Sequence, residues 1–325
     1  MTTDIGPRPS VDDEQVRLLV QRLNGDGPVA DLGGTMSLNI HLIDRGLVLR
    51  IHRPFVDRAR LAHLHSVRAA AANAGLDVAE PIDIDAHPFT DAGNGRVAEL
   101  EAYIAHDKPP PTWDSYRWMY GAMGALHHAL DDFDGPLADP VVATYGTPAT
   151  LRRAVRTTIA SVPHDQEATQ RARNVDRLID VLANQWIEPR SLPNRVVHGD
   201  IRLGNVARTT KGDSAYFDFG FAARRPRIHD LAYSLAWIIF RPTADGRGED
   251  FPWDALPDLI DAYEQAAGSR LDELERRALG PYLAAVPLYL AAIASHTPDP
   301  VEHLAIEAPF VRIAEWVLQY GIPTT

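Results

Sequence analysis

Three polar side chains within residues 196–233 have the types and spacing that phosphoryl transfer requires. The sequence contains HGD at His198–Asp200, Asn205 five residues after that aspartate, and DFG at Asp218–Gly220. Phosphoryl transfer needs a carboxylate that orients the attacking hydroxyl and oxygen ligands that hold Mg²⁺ against the phosphates. We therefore predict that Asp200 faces the acceptor hydroxyl and that Asn205 and Asp218 ligate magnesium. The alternative is that these residues only close a turn and cap a strand.

The elements that must position these residues change in character near residue 108. Before it, short apolar runs such as SLNIHLI and LVLRIHRP alternate with turns, which is typical of an antiparallel sheet. One helix is expected at about 55–74, ending at Gly75. Beyond a proline run, helical apolar spacing occurs over 112–131, 149–187, 253–268 and 271–295, interrupted by a β-like segment at 195–219.

The motifs resemble the aminoglycoside phosphotransferase and choline kinase family, the small-molecule relatives of protein kinases. The likeness is sharpest over VVHGDIRLGNV, AYFDFGFAARRPRIHDLAYSLAW and MGALHHAL. It implies an α+β, bilobal protein-kinase-like fold, with a small β-rich nucleotide-covering lobe over 1–104 and a larger, mainly helical catalytic and substrate-binding lobe over 105–325. It also implies that Asp230 braces the catalytic loop and that His198 is a further support residue.

The resemblance places the nucleotide contacts in the N-terminal lobe. LGGTMSLN lies between the first two strands, where small residues let backbone N–H groups approach phosphates, although an ordinary hairpin turn is the alternative. ELEAYI lies where the chain would pass the nucleobase. ATP is the expected co-substrate, and GTP remains open. The expected contacts are Gly33, Gly34, Thr35, Ser37, Arg50, Glu99 and Glu101.

Arg50 lies where the family usually carries a phosphate-binding lysine. Arginine can bind phosphate oxygens in a bidentate manner. The family pairs this cation with a glutamate of the next helix, but here that helix has no acidic residue after Asp57. Either Arg50 finds another carboxylate, for example one from the C-terminal lobe, or the N-terminal lobe is organised differently. A surface arginine on an edge strand is the alternative.

The acceptor side has weaker signals. The family forms its acceptor site from helices after the DFG motif, and residues 249–275 here carry nine acidic side chains against one basic. Asp254 and Asp258 either line a cleft for a cationic substrate or form the solvated face of an amphipathic helix. Tyr233 and Trp237 are candidates for an apolar part of the same cleft, or are core aromatics.

The amino-acid composition limits the classes of molecule that the protein is expected to bind. The formal charge of −12 disfavours nucleic acid and anionic membranes and favours a neutral or cationic small molecule. The absence of cysteine excludes thiolate chemistry and cysteine-ligated metals. No membrane span or export signal is recognisable, so the cytoplasm is the expected location. The oligomeric state cannot be inferred.

The expected reaction is therefore Mg²⁺-dependent transfer of a nucleotide γ-phosphate to a hydroxyl of a small molecule. The first expectation for the acceptor is an antibiotic, aminoglycoside-like or nucleoside, which would make the protein a resistance enzyme. The alternative acceptor is an amino sugar or amino alcohol. A different class, a catalytically inactive nucleotide-binding regulatory protein, is suggested by Arg50 and the missing helix glutamate. A protein kinase is disfavoured because DFG runs directly into HDLAY without a long activation segment.

Overall fold

The computed structural model describes residues 8–34, 36–240 and 247–322, so the predicted contact Thr35 lies outside the described residues. The strands are β1 (Val29–Asp31), β2 (Ser37–Leu42), β3 (Leu47–His52), β4 (Asp77–Val78), β5 (Pro81–Ile82), β6 (Thr90–Asp91), β7 (Val97–Ala102), β8 (His106–Asp107), β9 (Asn194–Val197), β10 (Val206–Thr209), β11 (Ser214–Tyr216) and β12 (Ala223–Pro226). The helices are α1 (Glu14–Asn24), α2 (Arg58–Asn73), α3 (Trp113–Ala129), α4 (Pro148–Ser161), α5 (Gln166–Gln185), α6 (Ile228–Phe240), α7 (Leu256–Ala267), α8 (Glu273–Ala292) and α9 (Pro300–Tyr320).

The chain forms two compact units. The first contains the residues up to Lys108 together with Asp132–Val141 and Ala207–Phe219, and the second contains Pro109–Asp131, Val142–Val206 and the residues from Gly220 onward. The first unit thus takes in two segments from beyond the boundary expected at residue 104. The second unit holds all the described helices except α1 and α2.

The first unit is built on an antiparallel sheet with the order β1-β2-β3-β7-β5, and β6 also pairs with β7. The apolar residues of the first two predicted strand runs form its core, where Leu38, Ile40, Leu49 and Ile51 are buried. A second sheet has the order β4-β11-β10-β8. Because β3 lies between β2 and β7, the interpretation of Arg50 as a surface residue on an edge strand is wrong.

The residues that flank helix α2 explain where it begins and ends. The Asp57 carboxylate caps it by accepting the Arg60 N–H at 2.6 Å, which satisfies one of the unpaired donors of the first turn. Gly75 follows the helix with a φ of 88°, a left-handed value that glycine adopts without strain. The predicted glycine cap is therefore confirmed, and the helix begins three residues later than the expected start near 55.

The second unit is mainly helical, as predicted, but the pattern over 149–187 is two helices. α4 ends at Ser161 and α5 begins at Gln166, with Pro163 between them. Proline lacks an N–H and disfavours helical geometry in the residue before it, so a continuous helix breaks there. Helices α6 and α9 were not predicted, and neither was α1 of the first unit, where only one helix was expected. Among the described ranges, no helix combines the length and apolarity that a membrane crossing requires.

Candidate active site

The loop from β9 to β10 carries Asp200 and Asn205, and its shape depends on Gly199. This glycine has a φ of 80°, and a Cβ at this position would collide with the carbonyl oxygen of Phe221. Any other residue would therefore be both strained and sterically blocked. The glycine of the HGD motif is needed for backbone geometry, which a motif comparison alone does not explain.

Asp230, at the start of α6, supports this loop through hydrogen bonds to its backbone. Its buried carboxylate accepts the N–H groups of His198 at 2.7 Å and Gly199 at 2.8 Å, and it lies 3.0 Å from Nε2 of His127. Burial by itself would raise the pKa of Asp230, but the hydrogen bond and charge of His127 outweigh it and lower the pKa to about 2. The geometry agrees with the bracing role expected for Asp230.

Three side chains converge on the carboxylate of Asp200, which is almost completely buried. The Tyr233 hydroxyl donates to Oδ1 at 2.6 Å, and Arg202 donates to Oδ2 at 3.0 Å. Asn205 donates through Nδ2 to the Asp200 carbonyl oxygen at 2.6 Å and to Oδ2 at 2.9 Å. The carboxylate is thereby fixed in one orientation, which suits a group that must align an acceptor hydroxyl.

Asp218 lies in the first unit with Arg50. Its φ is 58°, a backbone conformation that costs free energy in a non-glycine residue and that recurs at functional sites. The Arg50 guanidinium forms an ion pair with its carboxylate. Burial alone would lower the pKa of Arg50, but the charges of Asp218, Glu101 and Glu99 raise it above its usual value. The carboxylate sought for Arg50 is therefore that of the DFG motif.

In place of the expected glutamate on the helix, the first unit has an ion pair in which the acid lies on a strand and the base lies on the helix. Glu99 on β7 accepts Arg68 from α2 at 2.6 Å and lies 2.5 Å from His65 of α2 and 2.9 Å from His52 of β3. Burial by itself would raise the pKa of Glu99, but the charge of Arg68 and the two histidine contacts hold it well below its usual value. Here the strand supplies the carboxylate and α2 supplies the cation, Arg68.

The remaining predicted nucleotide contacts stay predictions, and their local settings differ. Gly33 and Gly34 have φ values of 83° and 106°, and the Gly33 N–H already donates to Asp31 at 2.8 Å. The Ser37 hydroxyl lies 3.3 Å from Nδ1 of the buried His52. The side chains of Glu99 and Glu101 both bind Arg68, and both residues lie in β7 where it pairs with β3, so a nucleobase contact of their backbone stays a prediction.

The predicted acceptor residues separate into two groups. Tyr233 contacts Asp200 directly, and Trp237 lies one turn further along α6 with the Arg202 guanidinium 5.3 Å from its ring centre. Asp254 and Asp258 are exposed, while the opposite face of α7 buries Leu256, Leu259, Ile260 and Tyr263. The amphipathic pattern is thus found, and a substrate role for the two aspartates stays a prediction.

Two residues of the site were missed in the sequence. Arg202 lies inside the HGDxxxxN loop, where its position two residues after Asp200 was a usable signal. His127 joins Asp230 to the hydroxyl of Tyr263, which lies 2.9 Å from its Nδ1. The motif MGALHHAL contained the histidine, but no spacing rule linked it to a residue so far along the chain.

His229, next to Asp230, gives a pH-dependent prediction. Burial, and then the charge of Arg225, lower the pKa of His229 from 6.5 to about 3. Between these values the unfolded chain binds a proton that the folded chain does not, so the free energy of unfolding falls as the pH drops below 6.5. The expected contribution is about 1.4 kcal/mol per pH unit.

Urea unfolding of the protein and of His229→Asn at several pH values checks this expectation. The variant should show a shallower loss of stability with acidification, because it lacks the titrating group. The exposed His164→Asn is the matched control for removing a histidine. Equal slopes for the protein and His229→Asn would contradict the prediction.

Asn205 and Asp218 each offer a hard oxygen donor of the kind that magnesium prefers. Because the Asn205 amide nitrogen is used by Asp200, the planar amide directs its oxygen away from that residue. Asp218 offers a carboxylate that is about one-third exposed, at 34%. Among residues 8–34, 36–240 and 247–322, no three acidic or histidine side chains form a metal cluster. Mg²⁺ usually takes only one or two protein carboxylates beside water and phosphate oxygens, so the chemistry of each side chain suits this ion.

Comparisons with known proteins bear on the fold and the family. A model described as the phosphotransferase enzyme family matches residues 30–282. A homoserine kinase of Methylorubrum populi is 26% identical over 209 residues, which make up 64% of this chain and only 61% of that protein.

Two solved structures share the fold at low sequence identity. A microcompartment-associated aminopropanol kinase matches with a TM-score of 0.72 at 15% identity, covering 97% of this chain and 100% of that one. A spectinomycin phosphotransferase in complex with ADP and spectinomycin matches with a TM-score of 0.62 at 13% identity, covering 94% and 98%. The predicted kinase-like fold is confirmed.

Proposed function

This chain belongs to the phosphotransferase enzyme family, and from that membership we propose that it transfers the γ-phosphoryl group of a nucleoside triphosphate to a hydroxyl of a small molecule. The observation that carries the proposal is the fixed carboxylate of Asp200. Tyr233, Arg202 and Asn205 hold it, and Asp230 holds the backbone before it. Such rigid positioning supplies most of the catalysis in phosphoryl transfer.

In the proposed mechanism Asp200 accepts a hydrogen bond from the acceptor hydroxyl and orients its oxygen toward the phosphorus. The proton of the hydroxyl passes to Asp200 as the new P–O bond forms and the bond to the leaving nucleoside diphosphate breaks. Tyr233 and Arg202 keep the carboxylate in place during this step. Asp230 acts only on the loop backbone and is a positioning residue.

Asn205 and Asp218 are proposed to hold magnesium, and Arg50 to contact phosphate oxygens. The bound nucleotide would supply the phosphoryl group, and bound magnesium would neutralise the charge that develops on it. Because Arg50 is paired with Asp218, we propose that it shifts its contact from this carboxylate to the phosphates. Gly33, Gly34 and the hairpin that they begin are proposed to cover the phosphates.

The acceptor is proposed to be a small hydroxyl compound. The named substrates of the relatives, homoserine, aminopropanol and spectinomycin, span amino alcohols and antibiotics, so they favour neither class. An acceptor screen with ATP and GTP in parallel, with the product detected by its mass increase, tests donor and acceptor together. Nucleotide binding without turnover over a broad panel would favour the inactive regulatory protein instead.

Replacing Asp218 by asparagine tests the metal assignment. The change keeps the shape of the side chain but removes the charge that binds the cation and pairs with Arg50. Loss of even an outer-shell partner costs roughly 10–100-fold in metal affinity, so at least that loss is expected. The measurement is the magnesium concentration that gives half-maximal nucleotide binding. Asp213→Asn, an exposed aspartate before β11, is the control; equal magnesium dependence in both variants would reject the assignment.

A further inference from the structure

A cavity of about 240 Å³ lies in the helical unit next to the loop that carries Asp200. Its described walls come from three elements: Met119 of α3, Arg202 and Leu203 of the loop, and Trp237, Ile238 and Phe240 of α6. A cavity of this size has room for a small molecular body beside the loop.

The chemistry of the walls is mainly apolar. Arg202 is the one charged side chain among the described lining residues, and none of these residues is acidic. Ser234, which also lines the cavity, donates its hydroxyl to the Ile201 carbonyl oxygen at 2.5 Å. The guanidinium of Arg202 is already paired with Asp200, so an ammonium group inside the cavity would find no carboxylate among these described walls, and an unpaired buried charge is costly.

The cavity is connected to the catalytic carboxylate through α6. Tyr233 and Trp237 are four residues apart on this helix, so they lie on the same face. Tyr233 contacts Asp200, and Trp237 forms the cavity wall. Arg202 joins the two places again, because it pairs with Asp200 and lies over the Trp237 ring. A molecule whose body fills the cavity would therefore have its end close to Asp200.

We propose that this cavity binds the apolar, uncharged body of the acceptor, so that the substrate class is a compact alcohol that carries no cationic group in the part bound by the cavity. This inference rests on the proposed phosphotransfer function. Of the neutral or cationic small molecules that the net charge favours, it selects the neutral ones. It also predicts that polycationic aminoglycosides are poor acceptors.

The test compares straight-chain primary alcohols with the ω-amino alcohols and ω-hydroxy acids of equal carbon number. The neutral alcohol is expected to have a kcat/KM at least about 10-fold above that of the amino alcohol, the effect of one methylene in an apolar pocket. Ile238→Ala and Phe240→Ala enlarge the cavity and should shift the preferred chain length upward. The exposed Ile306→Ala on α9 is the matched control and should shift nothing.

Equilibrium dialysis of the same alcohols without nucleotide separates this inference from the function itself. Binding that both cavity variants alter, without any phosphoryl transfer, would support the cavity assignment and reject the proposed function. Transfer to amino alcohols that neither variant affects would reject the cavity assignment and leave the function standing. Neither binding nor transfer of any neutral alcohol would likewise reject the cavity assignment. Phe240 is only half-buried, so its variant remains informative if Ile238→Ala does not fold.

Discussion

Replacing Asp200 by asparagine is expected to lower kcat by about 10²–10⁴-fold, the usual contribution of a positioned acid–base group. Asparagine keeps the side-chain shape and can still accept from Tyr233, so the loop should keep its conformation. What disappears is the negative charge that attracts Arg202 and that is proposed to take the hydroxyl proton. The loss should therefore appear in kcat, measured by nucleoside diphosphate release with a saturating acceptor.

Nucleotide affinity is expected to change little in Asp200→Asn, because Asp218 and Arg50 are untouched. Asp213→Asn serves again as the control, since it makes the same chemical change on an exposed turn. If Asp200→Asn retained full transferase activity, the role assigned to Asp200 would be wrong. If kcat fell only because the protein unfolded, the thermal transition would move as well, and this is checked by circular dichroism.

Replacing Asp230 by alanine is expected to reduce the free energy of unfolding by about 3–5 kcal/mol, because it leaves several buried donors unsatisfied at about 1–3 kcal/mol each. The variant leaves the N–H groups of His198 and Gly199 and the ring of His127 without their buried acceptor. The measurement is urea unfolding near neutral pH. Asp261→Ala, on the exposed face of α7, is the control and should stay within about 0.5 kcal/mol of the unmodified protein.

The contribution of the Asp230 carboxylate to stability depends on pH. Its pKa is about 2 when folded and 3.8 when unfolded, so its stabilising effect is complete above pH 3.8 and is lost as the pH falls toward 2. Asp230→Asn should be less damaging than Asp230→Ala, because the amide oxygen can still accept one or two of these hydrogen bonds. A loss below about 1 kcal/mol in Asp230→Ala would contradict the bracing role, because a buried donor left unsatisfied costs at least that.

In the first unit, the sequence predicted which ion pair is missing but did not predict which ion pair takes its place. The sequence indicated that Arg50 lacked a helix glutamate, and this was correct. It did not indicate that Arg68 and His65 of α2 would instead bind Glu99 of β7. His65 and Arg68 are three residues apart and therefore lie on one face of α2. The helix sequence does not indicate which strand carboxylate these two side chains contact.

The resemblance of the motifs indicated the fold family. The sequence by itself determined the antiparallel sheet and most of the helices, because apolar periodicity and capping residues act over short distances along the chain. It also identified the segment 196–233, since its motifs lie within a short stretch of chain that runs from the β9–β10 loop to the residues after β11. Only the tertiary structure decided the partners. Arg50 and Asp218 are 168 residues apart, and His127 and Asp230 are 103 apart. Such contacts depend on how whole elements pack, and periodicity along the chain carries no information about which distant side chain fills a given position.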